Sequence, residues 1–362
     1  MYIKQKEIER STKKRYKVEY MVTIKDVAAE AQVSFQLAAA VLNNKKYARA
    51  SEATRKKIMD ASKKLGYVPN VSARILRGDA SKVLGVLIDS RAPETMYRIL
   101  AEIELAADVL GYRILTAQAH DDPEKLLQSY YALKQNGVDG IISFSHDYSQ
   151  FGYHLDQRLR DDPKIVLVLN SDKKQNISAV DIDLKNGVVA AVEHLRSQGY
   201  QKTALLLPSK DLNELPQGCR RRLDGFRQGC PEGEVLLLKS PAAEISVMEE
   251  EFRSLIREAL IPGGFDSVIA LNDLTALVLM NQLLAENIRI PQEFGVVGCD
   301  DLAIGLCHPV KLTTLHYDRK AIAESALKML LDKIAGKPDI IRMDHPVTLI
   351  SRASTAKTER KS

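Results

Sequence analysis

The chain has 362 residues, of which 45% are apolar and 27% are charged. This composition is that of an ordinary folded protein, it excludes a disordered chain or a fibrous repeat, and the length predicts two or three domains. The apolar runs are too short to span a bilayer, no apolar signal segment follows Met1, and the four cysteines include no Cys-x-x-Cys pair. We therefore expect a cytoplasmic protein without a membrane span, a disulfide framework or a zinc module.

The net charge of +5 is divided unevenly along the chain. Residues 1–82 hold 19 basic and 8 acidic side chains, a net charge of +11, whereas residues 83–362 have a net charge of −6. A basic N-terminal part joined to a mildly acidic remainder indicates a polyanionic partner for the N-terminal part alone, although a solvated basic tail would have the same charge.

Three short helical patterns follow one another between residues 22 and 69. Thr23 and Ser34 are candidate N-cap residues of the first two helices, Ser51 opens the third, and Gly66 ends it. Because only a tight turn separates the first two helices, the pattern predicts a helix-turn-helix DNA-binding domain whose second helix enters the major groove.

From Val83 onward, apolar strand patterns alternate with helical patterns, beginning with the predicted strand Val83–Ile88 and continuing to the predicted strand Gly295–Cys299. Such alternation predicts doubly wound parallel sheets, and about 280 residues exceed what one sheet commonly holds, so we expect two lobes. Ligands of these sheets bind beyond the carboxyl ends of the strands. The cleft between the lobes is therefore the expected binding site.

Four blocks in the basic part resemble the DNA-binding head of the lactose-repressor (LacI/GalR) family of bacterial transcription regulators. These blocks are residues 23–34, 41–43, 54–55 and 65–70. Further family blocks lie at residues 120–125, 138–142, 193–195, 222–226, 296–301 and 312–315. The resemblance implies an N-terminal all-α helix-turn-helix head with a hinge helix, followed by a two-lobed α/β body like a type I periplasmic binding protein, with two doubly wound parallel sheets.

The predicted domain bounds are a basic extension over 1–21, the helix-turn-helix domain over 22–69, a hinge helix and linker over 70–82, an effector-binding and dimerisation domain over 83–350, and a polar tail over 351–362. Within the body, we expect the N-terminal lobe to take about 83–181 and 315–340, and the C-terminal lobe about 182–314 and 341–350. Homologous heads begin just before the capping threonine, so translation is expected to begin at Met21, with a DNA-contacting arm as the alternative.

The resemblance also implies which residues contact DNA: Thr23, Ser34, Phe35, Gln36, Leu37, Ala40, Asn43, Tyr67, Asn70, Ala73, Arg74 and Leu76. In the family, a hinge leucine wedges into the minor groove and kinks the duplex, and here that leucine is Leu76. The second helix departs from the family pattern, because Leu37, Ala39 and Ala40 stand where an arginine or a serine is common. Gln36 can pair with adenine, but this helix offers no arginine for guanine.

The family's effector cleft maps onto Arg222, Asn272 and Asp300, with further contributions expected from Asp89, Ser90 and Asp147. An arginine fork and carboxylates donate to and accept from hydroxyl groups, so a sugar is the expected effector, with a purine or another small metabolite as the alternative. The sequence holds no phosphate-cradling, metalloprotease or serine-hydrolase motif. We expect no enzyme activity, no metal and no cofactor.

The sequence thus predicts a sequence-specific regulator of transcription, with repression as the favoured activity. Its partners are expected to be double-stranded operator DNA, a small-molecule effector and a second copy of the chain, because the operators of such heads are near-palindromic. A periplasmic-type sugar-binding protein without a regulatory role is the alternative, but it leaves the basic head unexplained. Whether the effector releases or promotes DNA binding is open.

Overall fold

The computed structural model describes residues 22–43, 49–68, 80–119, 122–145, 157–173, 176–208, 211–239 and 244–357. The chain divides into two compact units, residues 1–79 and 80–362. Several predicted features lie outside the described residues: the basic extension over 1–21, most of the hinge with Asn70, Ala73, Arg74 and Leu76, and Asp147 of the effector cleft.

Within residues 22–43 and 49–68, the first unit has three helices, α1 (Ile24–Glu30), α2 (Phe35–Leu42) and α3 (Glu52–Leu65). A capping box starts α1, since the Thr23 side chain accepts from the backbone N–H of Asp26 and the Asp26 carboxylate accepts from the backbone N–H of Thr23 at 2.8 Å. Gly66 ends α3 with φ +66°, a left-handed conformation that costs glycine little. A small apolar core of Val27, Ala31, Val41, Ile58 and Ala61 holds the three helices together.

The second unit has two six-stranded sheets, one in each lobe. The sheet of the N-terminal lobe is parallel throughout and has the strand order β11-β5-β4-β3-β1-β2. Its strands are β1 (Val83–Ile88), β2 (Arg113–Gln118), β3 (Gly140–Ser143), β4 (Ile165–Val168), β5 (Ala179–Ile182) and β11 (Arg342–His345). Its helices are α4 (Glu94–Val109), α5 (Pro123–Gln135), α6 (Gln157–Arg160) and α12 (Arg319–Ile334).

The sheet of the C-terminal lobe has the order β12-β10-β9-β8-β6-β7 and is parallel except for β12, which pairs antiparallel with β10. Its strands are β6 (Thr203–Pro208), β7 (Glu234–Leu238), β8 (Ser267–Ile269), β9 (Gly295–Cys299), β10 (Thr313–His316) and β12 (Thr348–Ile350). Its helices are α7 (Leu184–Ser197), α8 (Gln217–Gly229), α9 (Ile245–Leu255), α10 (Asp273–Ala285) and α11 (Ile304–Cys307), with a π-helical turn at Ile256–Leu260 after α9.

The interior of the body is continuous between the lobes. One apolar cluster includes Val86 and Val166 from the N-terminal lobe and Leu205 and Leu315 from the C-terminal lobe, all nearly inaccessible to solvent. Burial of such side chains stabilises each sheet and also holds the two lobes against each other. None of the described helices combines the length and apolar character that a membrane-spanning segment requires.

The predicted lobe bounds need correction near the C-terminus. The prediction placed 341–350 in the C-terminal lobe, but β11 pairs in parallel with β5 of the N-terminal lobe, and only β12 joins the C-terminal sheet. Likewise β10 keeps residues up to His316 in the C-terminal lobe, two residues beyond the predicted bound. The reason is strand pairing between distant segments, which local patterns do not encode.

The predicted polar tail over 351–362 is wrong for its first part. Ser354 and Thr355 are completely buried. The Ser354 N–H donates to the Lys311 carbonyl at 2.9 Å, and the Thr355 hydroxyl is hydrogen-bonded to that of Thr313 at 2.7 Å. These polar side chains are buried because each finds a hydrogen-bond partner, so the segment completes the C-terminal lobe.

Candidate DNA-binding and effector sites

The exposed N-terminus of α2 is the part of the head best placed to read bases. Ser34, Phe35 and Gln36 are exposed there, and 49% of the Phe35 side chain is accessible to solvent. The Ser34 hydroxyl accepts from the Leu37 N–H at 3.2 Å, which fixes the first turn of the helix. Phe35 and Gln36 are thereby presented on a rigid element, as a major-groove helix requires.

Other predicted DNA-contacting residues shape the head itself. Leu37, Ala40 and Tyr67 pack in part against its apolar core. The Asn43 side-chain amide donates to the Ala39 carbonyl at 2.6 Å, and the Thr23 hydroxyl donates to Asp26 at 2.7 Å. These contacts give each residue a structural role, and contact with DNA stays a prediction for all of them.

A positive surface adjoins the helix-turn-helix. Lys56 and Lys57 are exposed at the start of α3, and Lys57 donates to the side-chain oxygen of Gln32 at 3.4 Å, in the turn between α1 and α2. Lysines of this kind neutralise phosphates and fix the register of a protein on the duplex without reading sequence.

A cavity of about 130 Å³ lies between the lobes of the body. Segments of both lobes line it: the start of α4, the ends of β4 and β5, the start of α8, and the positions that follow β8, β9 and β10. The lining residues are Pro93, Thr95, Met96, Leu169, Asn170, Ile182, Leu184, Pro216, Gly218, Cys219, Arg222, Leu271, Asn272, Asp300 and Tyr317. The cavity therefore occupies the crevice beyond the carboxyl ends of the strands, where ligands of parallel sheets bind.

Arg222 is the cationic group of the cavity. Its guanidinium donates to the carbonyls of Gly218 at 3.2 Å and Leu271 at 3.3 Å and to the sulfur of Cys299 at 3.6 Å. Burial acts to lower the pKa of Arg222, but the neighbouring Cys299, Cys219 and Asp300 raise it above the usual value. The guanidinium is thus a permanent charge, held at the cavity wall by α8.

Asp300 is the anionic group of the cavity and follows β9 directly. It is 5% exposed, and Oδ1 accepts from the Tyr317 hydroxyl at 2.6 Å. Burial raises the pKa of Asp300 to about 6, although the bond from Tyr317 and the charge of Arg222 act against this shift. At neutral pH the group is mainly a carboxylate, which can accept a hydrogen bond from a ligand hydroxyl.

Asn272 completes the polar triad that the sequence predicted. Its side-chain oxygen caps α10 by accepting from the N–H of Thr275 at 2.9 Å and from the hydroxyl of Thr275 at 2.8 Å. The capping bonds fix the orientation of the amide at the cavity wall. The structure therefore brings Arg222, Asn272 and Asp300 together, on three different elements of one lobe.

Gly218 permits the close approach of α8 to the other lobe. A Cβ atom at this position would overlap the side-chain oxygen of Asn170, which lines the cavity from the end of β4. Asn170 itself has φ +53°, in the left-handed region that asparagine tolerates better than most residues. The packing of the two lobes at this side of the cavity therefore requires a glycine at position 218, opposite Asn170.

Two predicted effector residues lie elsewhere. Asp89 and Ser90 are in the loop after β1 and are not among the residues that line the cavity. The Asp89 carboxylate accepts from the N–H of Arg91 at 2.9 Å, and its carbonyl accepts from the hydroxyl of Tyr97 at 2.8 Å. In the structure Asp89 organises its own loop, and a ligand contact for either residue stays a prediction.

Thr95, Asn170 and Tyr317 were not predicted as site residues, yet they line the cavity from the N-terminal lobe and from the crossover after β10. Asn170 lies two residues after β4, and Tyr317 directly follows β10. A search for polar side chains just beyond the carboxyl ends of strands would therefore have found both residues. Thr95 has no such mark, because it lies in the first turn of a helix whose docking depends on the tertiary structure.

A second buried carboxylate lies behind Asp300. Asp273 is completely inaccessible, and it accepts from the N–H of Leu302 at 2.6 Å and the hydroxyl of Thr314 at 2.5 Å. Burial raises the pKa of Asp273 to about 7, and the charges of Asp300 and Asp301 add to that rise. Asp273 joins α10 to the loop after β9 and to β10, so it supports the wall of the cavity from outside.

Comparison with known proteins identifies both units. Residues 23–70 match the bacterial regulatory proteins of the lacI family, and residues 192–355 match the periplasmic binding protein-like domain. The chain carries a lacI-family helix-turn-helix domain followed by a periplasmic binding protein-like domain. It is a DNA-binding regulator of transcription, and the predicted family and fold class are confirmed.

Relatives match this chain along nearly its whole length. The HTH-type transcriptional repressor PurR of Haemophilus influenzae (strain PittEE) is 25% identical over 339 residues, which cover 92% of this chain and 98% of the relative. PurR of Vibrio atlanticus (strain LGP32) is 26% identical over 347 residues, covering 93% and 99%. The crystal structure of the lac repressor dimer bound to operator and the anti-inducer ONPF has a TM-score of 0.77 at 24% identity, covering 93% of this chain and 100% of that one, a likeness of fold.

Proposed function

We propose that this lacI-family regulator is a repressor that binds a near-palindromic operator as a homodimer and whose DNA affinity is set by a small polyhydroxylated molecule, a sugar, bound between the lobes of the body. The observation that carries the effector part is the cavity between the lobes, which Arg222, Asn272 and Asp300 line together. The PurR relatives are named transcriptional repressors, which supports repression as the activity of this chain.

The chemistry of the cavity favours a sugar over a purine. Arg222 supplies donors, Asp300 supplies an acceptor and the NH2 group of Asn272 supplies a further donor, which suits hydroxyl groups that donate and accept at once. Proteins commonly hold nucleobases by stacking them on aromatic planes. Among the lining residues that the structure describes, Tyr317 is the one aromatic ring, and its hydroxyl is already bonded to Asp300.

Control of DNA binding by such a ligand follows from linkage. A ligand that binds one arrangement of the body better than another shifts the equilibrium between them, by no more than its difference in affinity. Because coupling between two sites is reciprocal, a sugar that weakens operator binding must itself bind more weakly when operator is present. This reciprocity makes the sign of the control measurable.

The ligand class is tested with the full-length chain in a thermal-shift panel of pentoses, hexoses, disaccharides and purine bases. A ligand at about 100 times its Kd adds about 2.7 kcal/mol to the free energy of unfolding, a readily measured shift. We expect at least one neutral sugar to raise the melting temperature and to change operator affinity at the same concentration.

Arg222→Lys and Arg220→Ala are the matched variants for this panel. Lysine keeps the charge but loses the planar fork, so Arg222→Lys should abolish the ligand shift. Arg220 is exposed and donates to the carbonyls of Leu215 and Asn213 of its own lobe, so Arg220→Ala should keep the shift. A purine base that raises the melting temperature where every sugar fails would exclude the sugar assignment.

A second copy of the chain is supported by an exposed apolar groove on the N-terminal lobe. Leu105, Val109 and Leu110, at the end of α4, are 61%, 85% and 50% exposed, and they face α12 across a groove that Leu327 and Leu331 also line. Solvent-exposed apolar patches of this kind mark protein interfaces. The groove carries charges of both signs, with Glu102 and Glu324 near Lys320 and Lys328, so a two-fold axis can set acidic groups of one copy against basic groups of the other.

A further inference from the structure

A chain of three hydroxyl and carboxyl groups crosses the body beside the effector cavity. The Tyr317 hydroxyl donates to Asp300 Oδ1 at 2.6 Å and lies 2.8 Å from the Thr95 hydroxyl. Since a hydroxyl has one proton and that of Tyr317 goes to Asp300, Thr95 is the donor to Tyr317. Thr95 belongs to the first turn of α4 in the N-terminal lobe, and Asp300 follows β9 in the C-terminal lobe.

All three of these hydrogen-bonded residues are buried, with Tyr317 2% exposed, Thr95 4% and Asp300 5%. A hydrogen bond between groups removed from water is stronger than at a surface, and breaking it leaves a buried polar group unsatisfied. The three residues also line the cavity, so a bound molecule lies against the same atoms that join the lobes.

We propose that Tyr317 is a positioning residue of the effector site: its hydroxyl orients the Asp300 carboxylate for a ligand and, through Thr95, couples that carboxylate to α4 of the opposite lobe. This inference rests on the proposed effector function of the cavity. With Oδ1 held by Tyr317, the carboxylate presents its other oxygen to a ligand hydroxyl, and a change in that contact is transmitted to the first turn of α4.

Tyr317→Phe removes only the hydroxyl and keeps the buried ring. The matched control is Tyr200→Phe, because Tyr200 is 3% exposed and its hydroxyl donates to the Pro291 carbonyl at 2.7 Å within the C-terminal lobe. Tyr317→Phe loses two buried hydrogen bonds, to Asp300 and from Thr95, and Tyr200→Phe loses one, so a general loss of stability affects both variants. Only Tyr317→Phe removes a bond between the lobes.

The first measurement is hydrogen exchange in the full-length chain, free of ligand. In Tyr317→Phe, amides of the first two turns of α4 and those at 300–302 should both exchange about tenfold faster than in wild type, since each segment loses its tie to the other. In Tyr200→Phe, both segments should keep the wild-type rates. Unchanged exchange in α4 of Tyr317→Phe would show that the lobes are not coupled through this hydroxyl.

The second measurement is the unfolding free energy of the same chains from pH 5 to pH 8. The charged groups around Asp300 are Arg222 on α8, Arg319 on α12, Asp273 on α10 and Asp301, with the Cys299 thiol beside them. The hydrogen bond from Tyr317 acts to lower the pKa of Asp300, so the loss of this bond raises that pKa further. The unfolding free energy of the variant then continues to fall up to a higher pH than that of wild type. The difference between Tyr317→Phe and wild type should grow with pH, whereas that of Tyr200→Phe should stay constant.

D-ribose and D-glucose are the probes for the ligand step. A sugar that stabilises wild type should stabilise Tyr317→Phe at least about tenfold more weakly in apparent Kd, and Tyr200→Phe like wild type. If neither sugar stabilises wild type, the assignment of these sugars fails while the exchange and pH results still decide the role of Tyr317. A constant pH difference together with wild-type exchange overturns the inference even if both sugars bind.

Discussion

Two buried carboxylates near the cavity, Asp273 and Asp300, differ in what their surroundings allow them to do. Asp300 lines the cavity, whereas Asp273 is satisfied by Leu302 and Thr314 and contacts no open space. Burial raises the pKa of Asp273 to about 7 and that of Asp300 to about 6. The two groups carry the same chemistry, but only Asp300 is accessible to a ligand, so Asp273 has a structural role.

The raised pKa of Asp273 predicts a measurable pH dependence of stability. In the unfolded chain the pKa returns to about 3.8, so between pH 4 and pH 7 the folded chain binds more protons and the unfolding free energy falls as pH rises. Asp273→Asn removes this contribution, and urea unfolding should then depend less steeply on pH between 5 and 7.

Thr314→Val should change the pH dependence of the unfolding free energy in the opposite direction to Asp273→Asn. The Thr314 hydroxyl acts to lower the pKa of Asp273, so its removal should extend the fall of the unfolding free energy to higher pH. Curves of Asp273→Asn and Thr314→Val that run parallel to wild type would exclude Asp273 as the titrating group.

At the DNA-binding surface, substitutions of Gln36 and of Lys56 should change DNA binding in different ways. Gln36 is exposed in the first turn of α2, and a glutamine that pairs with adenine contributes about 1–3 kcal/mol of discrimination. Gln36→Ala should therefore relax the preference at one base pair of each half-site in operators selected from a random pool. Lys56→Ala should weaken binding to all sequences alike and reduce the salt dependence by about one phosphate contact. Equal losses on all sequences for Gln36→Ala would mean that this side chain does not read a base.

At the scale of elements, α8 links the cavity to the rest of the body through three consecutive arginines. Successive helical residues point about 100° apart, so Arg220, Arg221 and Arg222 reach three different surroundings. Arg220 donates to carbonyls of its own lobe, Arg222 lines the cavity, and Arg221 forms an ion pair with Asp181 of the other lobe at 3.0 Å. One helix thus carries a residue of the cavity wall beside a contact between the lobes.

The ion pair between Arg221 and Asp181 is buried, and this burial decides how much the pair affects stability. The side chains of Arg221 and Asp181 are 14% and 3% exposed, and Arg221 also donates to the Ser171 carbonyl at 2.7 Å. Removing one partner of a buried pair leaves an uncompensated charge and costs about 3–5 kcal/mol. We expect Arg221→Ala to lower the unfolding free energy of the body by this order in urea titrations.

Arg220→Ala is the control for Arg221→Ala, with an expected loss of about 1 kcal/mol or less because Arg220 is exposed. Adding Asp181→Ala to Arg221→Ala should recover part of the stability, since the stranded carboxylate is then gone. Additive losses in the double variant would show that the two side chains do not depend on each other.

At the scale of the whole molecule, local patterns predicted most elements, and distant pairing accounts for the rest. Strands such as Val83–Ile88 are continuous apolar runs, and a buried parallel strand has that pattern. Strand Ala179–Ile182 was not predicted, because Asp181 interrupts its apolar pattern and the arginine that satisfies it lies about forty residues further along the chain. The lobe of β11 and the burial of Ser354 likewise depend on partners that no local pattern reveals.

The candidate site was predictable to a similar degree. Arg222, Asn272 and Asp300 were found because the family resemblance marks them, and in addition Asn272 starts a helix and Asp300 follows a strand. Asp89 also follows a strand, but its side chain turns to its own loop and the cavity is formed without it. Which residues after a strand converge depends on how the two lobes pack, as Tyr317 and Thr95 illustrate.

The proposed homodimer gives the prediction that concerns the whole molecule. Val109 is 85% exposed at the end of α4, in the groove lined by Leu105 and Leu331. A buried charge without a partner opposes association, so Val109→Glu should shift sedimentation from dimer to monomer and leave the melting temperature nearly unchanged. Operator affinity should then fall steeply with dilution, because each head holds only one half-site. Ile261→Glu, at an exposed apolar position in the other lobe, should sediment like wild type. A Val109→Glu chain that stays dimeric would place the contact between copies elsewhere on the body.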